Sequence, residues 1–220
     1  MVGKTAQGER GYANGRARRE EIIQIASEQF AERGFLSATI LEIASVCGMS
    51  RAGLLHHFPD KEALLEAVLE ARDVEDRERF RPYATGHGGM GVLRGMVDLA
   101  EHNRLVPGLI ELFVRLSSEA SAADHPAHDY FRLRYERIRA STERVLSSEI
   151  AHGHLRADLN PVDAALRLTA LMDGIQTLWL FDRSIDMACR IGSLLREWMT
   201  PEGERAFEAA VPAPEPVAVG

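Results

Sequence analysis

Cysteine and lysine are almost absent from this chain: two of each in 220 residues. Two cysteines, Cys47 and Cys189, cannot build a disulfide framework, and both read as small buried hydrophobes. No stretch approaches ~18 uninterrupted apolar residues, and the N-terminus MVGKTAQGERGYANGRARREE is polar without an apolar signal core. Neither a membrane span nor a leader is expected, and the chain is placed in the cytoplasm. No alternation of apolar and polar residues marks a strand, and no segment repeats. A glycine-rich phosphate loop, a G-x-S-x-G elbow and paired-cysteine metal motifs are all missing. No enzyme chemistry, cofactor or metal is therefore expected.

What remains is ordinary for a globular protein: 45% hydrophobic and 27% charged residues. The net charge of −7 is unevenly spread. Residues 1–60 carry seven basic and seven acidic side chains, so the deficit falls on the other 160 residues. The N-terminal third is relatively electropositive, as suits a nucleic-acid partner. Lys4 and Lys61 stand against 24 arginines, a bias that carries no functional reading.

The most informative stretch is Thr39 to Lys61, TILEIASVCGMSRAGLLHHFPDK. Apolar residues at 40, 43, 46 and 47 give one face of a short helix. Thr39 and Glu42 form a capping box at its start. Ala44 is small where a second helix must cross, and Gly48 ends the first helix in the left-handed conformation. Ser50 caps a second helix, Arg51 to His57, which turns Leu54 and Phe58 inward. A small residue, a glycine four positions later and a leucine six beyond that mark a helix-turn-helix.

Around it the chain reads as all-α, with about nine helices. Residues 1–16 form a flexible polar arm, and a helix spans Arg18–Arg33 with Ile22, Ile23, Ala26, Phe30 and Ala31 on one face. Asp60 caps a fourth helix running to Pro82. A loop covers 83–91, followed by helices over Met90–Asn103 and Pro107–Ala120. A long helix starts at Asp124–Pro126 and ends near His152. The next begins at Pro161, behind Asp158 or Asn160, and reaches Phe181. The last spans about Ile185–Met199, and 206–220 forms a disordered Pro- and Ala-rich tail. Ala165, Leu168, Met172, Ile175 and Trp179 step by three and four, as do Ala188, Ile191, Leu195 and Trp198. Such seams suit near-parallel bundle packing against a second copy.

With these elements in place, the sequence resembles the tetracycline-repressor (TetR) family of one-component bacterial regulators, most closely over Arg18–Leu65 in ILEIASVCGMSRAGLLHHFPDKEALL. The resemblance implies a DNA-binding domain over 17–64 and a ligand-binding and dimerisation domain over 65–205. It implies a homodimeric repressor on a palindromic double-stranded operator, released by a small-molecule effector. By residue-for-residue match, Thr39, His57 and Lys61 correspond to phosphate contacts. Ser50, Arg51, Ala52 and Gly53 open the recognition helix, and Arg51 suits bidentate contact to guanine. Leu55 stands where the family commonly has a phosphate-touching tyrosine, and His56 with His57 is positioned to compensate.

By the same resemblance the effector pocket lies among the fourth to eighth helices. Met90, Met96, His102, Phe113, Phe131, Tyr135, Met172, Asp173 and Gln176 are its candidate lining. A metal at His125 and His128 is not expected, because zinc needs three or four convergent ligands. Two other readings stay open: a regulator or activator without a ligand, and a helical small-molecule-binding or interaction protein without specific DNA binding.

Overall fold

A computed structural model describes residues 5–210, leaving aside the side chains of residues 5–14 and of Asp76, Phe80 and Ala84. Residues 1–4 of the arm expected over 1–16, and 211–220 of the tail expected over 206–220, lie outside the described residues. Ten helices follow one another: α1 Thr5–Arg33, α2 Ile40–Val46, α3 Arg51–His57, α4 Lys61–Ala84, α5 Gly88–Asn103, α6 Pro107–Glu119, α7 His128–Ala151, α8 Pro161–Phe181, α9 Met187–Trp198 and α10 Pro201–Ala209. No strand occurs among the described residues; an isolated antiparallel bridge joins Leu155 and Met199.

Several boundaries differ from the sequence reading. Helix α1 runs back to Thr5 through Gly8, Gly11 and Gly15, each a weak helix former without an apolar stripe to announce it. The expected loop over 83–91 shrinks to 85–87. Here Gly89 N–H donates to the buried Glu149 carboxylate at 3.0 Å, satisfying an orphan amide of the first α5 turn. Helix α7 begins at His128 rather than Asp124. Helix α10 follows the last expected helix and reaches into the expected tail at 206–209: Thr200 caps it through Gly203 N–H, Pro201 occupies its first turn, and Phe207 is buried.

The chain divides into two units, Met1–Asp73 with Glu111–His128, and Val74–Ile110 with Asp129–Gly220. The first therefore takes in residues 111–128, which sequence reading assigned elsewhere. Its core holds Ile22, Ala26, Phe30, Phe35, Ile43, Ala44, Leu54, Phe58, Leu64 and Leu65. Full burial of each large apolar side chain contributes about 1.5–3 kcal/mol before entropy is counted.

In the second unit, α5 packs along α9 and α10, and α8 packs along α9. Close approach depends on missing side chains. A Cβ on Gly91 would lie 2.2 Å from the Tyr83 carbonyl oxygen, and one on Gly203 would lie 1.9 Å from that of His154. Tyr83 also donates to the Asp98 carboxylate, pinning the end of α4 to α5. Glu149, 3% exposed, additionally meets His154 Nδ1 at 2.5 Å.

Candidate nucleic-acid interface

Helices α2 and α3 are each seven residues long, too short to hold by themselves. Caps and core fix them instead. Thr39 Oγ1 accepts from Glu42 N–H at 3.2 Å, while Glu42 Oε2 accepts from Thr39 N–H at 3.1 Å. The Glu42 carboxyl is held below the usual carboxylate range, chiefly by its hydrogen bonds with Thr39 and further by Arg33 at 2.7 Å. Gly48 takes φ +65°, and Met49 N–H returns to Ala44 O at 3.0 Å. Arg18 donates to the Cys47 carbonyl, closing the end of α2.

Ser50 Oγ then accepts from Gly53 N–H at 3.0 Å and starts α3. Leu54 and Phe58 are fully buried beneath it, and the Arg19 guanidinium lies 4.7 Å from the Phe58 ring centroid. The opposite side of α3 presents Ser50, Arg51, Ala52 and His56 to solvent, with Gly53, Leu55 and His57 half-buried. Thr39 is exposed as well. A rigid, short helix bearing a donor-rich guanidinium beside small residues can enter a major groove closely and read base edges.

Lys61, expected to contact phosphate, has backbone partners in the chain without DNA. Its Nζ donates to the carbonyls of Phe35 at 2.8 Å and Ala38 at 3.1 Å, with Leu36 O at 3.4 Å. The ammonium points into the α1–α2 turn, so its hydrogens are occupied by backbone oxygens rather than offered to phosphate. Cys47 is buried and its thiol is pushed up by that burial, whereas Cys189 is exposed.

The seam residues expected to face a second copy are also relocated. Ala165, Leu168, Ile175, Trp179, Ile191, Leu195 and Trp198 are buried within the single chain, and Met172 and Ala188 are half-buried. The three-four spacing marks faces buried within the chain, where α9 packs along both α5 and α8. On α8 the exposed apolar residues are Val162, Leu166, Leu178 and Phe181. Val162, Leu166 and Phe181 escape sequence reading because Asp163, Arg167, Asp173 and Thr177 are interleaved with them along the helix.

The expected pocket residues scatter. Phe113 belongs to the first unit and the others to the second. Met90 and Phe131 are buried; Met96, His102, Tyr135, Met172 and Gln176 are half-buried. Tyr135 hydrogen-bonds Asp173 and its ring lies 6.3 Å from that of Phe131. Asp173 is exposed, yet surrounding protein pushes its carboxyl pKa up by excluding water, against Tyr135 and the Arg134 charge.

A capped helix-turn-helix with an outward recognition face, on an all-α body, defines a DNA-binding regulator. Residues 22–68 match the family described as bacterial regulatory proteins, tetR family, and residues 96–197 match the BetI-type transcriptional repressor C-terminal region. The transcriptional repressor AcnR of Corynebacterium diphtheriae is 31% identical over 162 residues, covering 71% of this chain and 78% of that protein. The repressor Rv1474c of Mycobacterium tuberculosis is 41% identical over 81 residues, 37% of this chain and 41% of that protein. Among solved structures, a SmeT–triclosan complex superposes with TM-score 0.74 at 20% identity, over 91% of this chain and 99% of that one. The chain belongs to the TetR family of bacterial transcriptional regulators and is a DNA-binding member of it. Among the described residues, no helix is long and apolar enough to cross a membrane.

Proposed function

We propose that this regulator is a homodimeric repressor that grips a palindromic operator with paired α3 helices and releases it when a small molecule occupies the second unit. The observation that carries the reading is the outward face of α3, with Arg51, Ala52 and His56 exposed above the buried Leu54 and Phe58. Two such helices about 34 Å apart meet successive major grooves.

Dimerisation is supported by the outer stripe of α8. Val162, Leu166, Leu178 and Phe181 are exposed by 59, 51, 56 and 87%, and Gly174 lies between them with nothing within 4 Å of its Cβ position. A four-residue ridge with a glycine at its middle suits close crossing by a second α8. The outer face of α9 is polar, with Cys189, Arg190, Ser193 and Glu197 exposed. In this reading the partner contact lies chiefly on α8.

Effector binding is supported by the Asp173–Tyr135 pair, a polar anchor beside the aromatic surface of Phe131. A neighbour of the same fold carries triclosan. A ligand favouring the released state by about 1–3 kcal/mol weakens operator binding five- to 150-fold.

Footprinting of the purified protein on the DNA upstream of its own gene, with a metabolite panel, tests the reading. A protected palindrome that opens with one metabolite is expected. Arg51→Ala should lose about 1–3 kcal/mol at a single base position and relax specificity there. Equal losses on operator and random DNA would contradict Arg51 as a base reader, and no protection at all would overturn the repressor.

A further inference from the structure

The end of α1 is capped from a distance. Arg115 donates to the Glu32 carbonyl at 2.7 Å, and one turn later Glu119 Oε2 accepts from Phe35 N–H at 3.1 Å. These bonds satisfy a carbonyl that the last turn of α1 leaves open and the Phe35 amide of the turn beyond it. Gly34, at φ +79°, makes the approach possible, since a Cβ there would lie 2.5 Å from Glu119 Oε1. The turn so held, residues 34–38, sets α2 against α1 and thereby aims α3.

The same Glu119 oxygen has a second donor in reach. His125 Nε2 lies 3.8 Å away, is buried, and has no hydrogen-bond partner. His125 is 7% exposed, and its ring sits edge-on to Phe35 at 5.2 Å. Its Nδ1 accepts from Ala127 N–H at 3.1 Å, so the neutral ring carries its proton on Nε2, facing Glu119. A buried donor without a partner is costly to keep. It is accounted for if the carboxylate visits it.

We infer that Glu119 is a two-position latch on the DNA-reading head, with His125 as its second position. In the structure Glu119 bonds Phe35 N–H and the α1–α2 turn is held. Closing the 3.8 Å separation to hydrogen-bond length, a shift of about 1 Å, transfers the carboxylate to His125 Nε2, frees the Phe35 amide and loosens the turn. Glu119 and His125 are thus positioning residues for operator binding; neither touches DNA. The inference rests on the operator-binding reading, and it supplies a site at which regulation acts.

The test pairs operator affinity with amide exchange of the 34–38 segment, both without effector. His125→Phe keeps the ring contact and removes the second position. Slower exchange at Phe35 and operator binding tighter by roughly fivefold are expected, the worth of one net hydrogen bond. Glu119→Ala should do the reverse, and Glu119→Gln, which keeps an acceptor oxygen, should restore most of the difference. His125→Phe matching wild type in both readouts overturns the latch. Should His125→Phe fail to fold, Glu119→Ala against Glu119→Gln decides: equal exchange at Phe35 in the two overturns it. A wild-type chain without operator binding would sink the repressor reading, whereas the exchange measurements judge the latch alone.

Discussion

The ammonium of Lys61 lies 4.3 Å from the centroid of the Phe35 ring and 2.8 Å from that same residue's carbonyl oxygen. A charge so used joins the first turn of α4 to the turn between α1 and α2. Lys61→Met keeps the apolar stem and removes the charge. It should cost about 1.5–3 kcal/mol of stability, the range for hydrogen bonds to a charged group. Operator affinity should fall only as folding does, leaving the slope of log K against log salt unchanged. A slope reduced by about one per subunit would return Lys61 to the phosphate-contact role.

The two faces of α8 should respond differently to charge. Leu178→Glu and Phe181→Glu place a carboxylate where solvent already reaches, so the chain should stay folded but sediment as a monomer at micromolar concentration. Ile175→Glu puts the same group in the core, where an unpaired charge is not tolerated, and should unfold the protein. A dimer that survives Leu178→Glu with Phe181→Glu removes the outer stripe from the interface.

Tyr83 gives a pH signature at the alkaline end. Burial, then its hydrogen bond to Asp98, pushes the phenol up to about 12, against an unperturbed value near 10. The folded state therefore holds the proton more tightly than the unfolded chain. Its contribution is fully present below pH ~10 and is lost as pH rises from there through about 12. Tyr83→Phe should lose stability at neutral pH and show a shallower decline across that window, as alkaline unfolding followed by circular dichroism would reveal. An unchanged alkaline profile would remove Tyr83 as its cause.

Glu149 should behave as the centre of a cluster. Glu149→Ala strands Gly89 N–H and the His154 ring, both half-buried, so each should cost toward the low end of the ~1–3 kcal/mol of an unpaired buried group. His154→Ala in the same background should then cost little, because its partner is already gone. A double-mutant cycle on the melting transition should give a coupling of about 0.5–3 kcal/mol. Simple additivity would dissolve the pair.

Most of the helical order was legible because caps announce themselves locally. Thr39 with Glu42, Asp60, and Asn160 with Pro161 stand where the sequence places them. Helix α10 was equally announced, by Thr200 and Pro201 ahead of Phe207, but the Pro- and Ala-rich residues beyond it suggested a tail. The exposed side of α3 could be read from Leu54 and Phe58 alone. What could not be read is where a long side chain finds its partner. Lys61 resembles a phosphate contact by its place in the sequence, and nothing local there announces the carbonyls of Phe35 and Ala38 that its ammonium meets. Glu119 and Phe35 are 84 positions apart, so no local pattern links them.

The contrast between the two thiols gives the protein a built-in attachment point. Cys47 is enclosed and its proton is hard to remove, while Cys189 stands on the solvent side of α9. A maleimide dye offered to the native chain should therefore mark α9 once per protomer without prior mutagenesis. Energy transfer between two such dyes would report subunit exchange in real time, in the same tube that holds the operator.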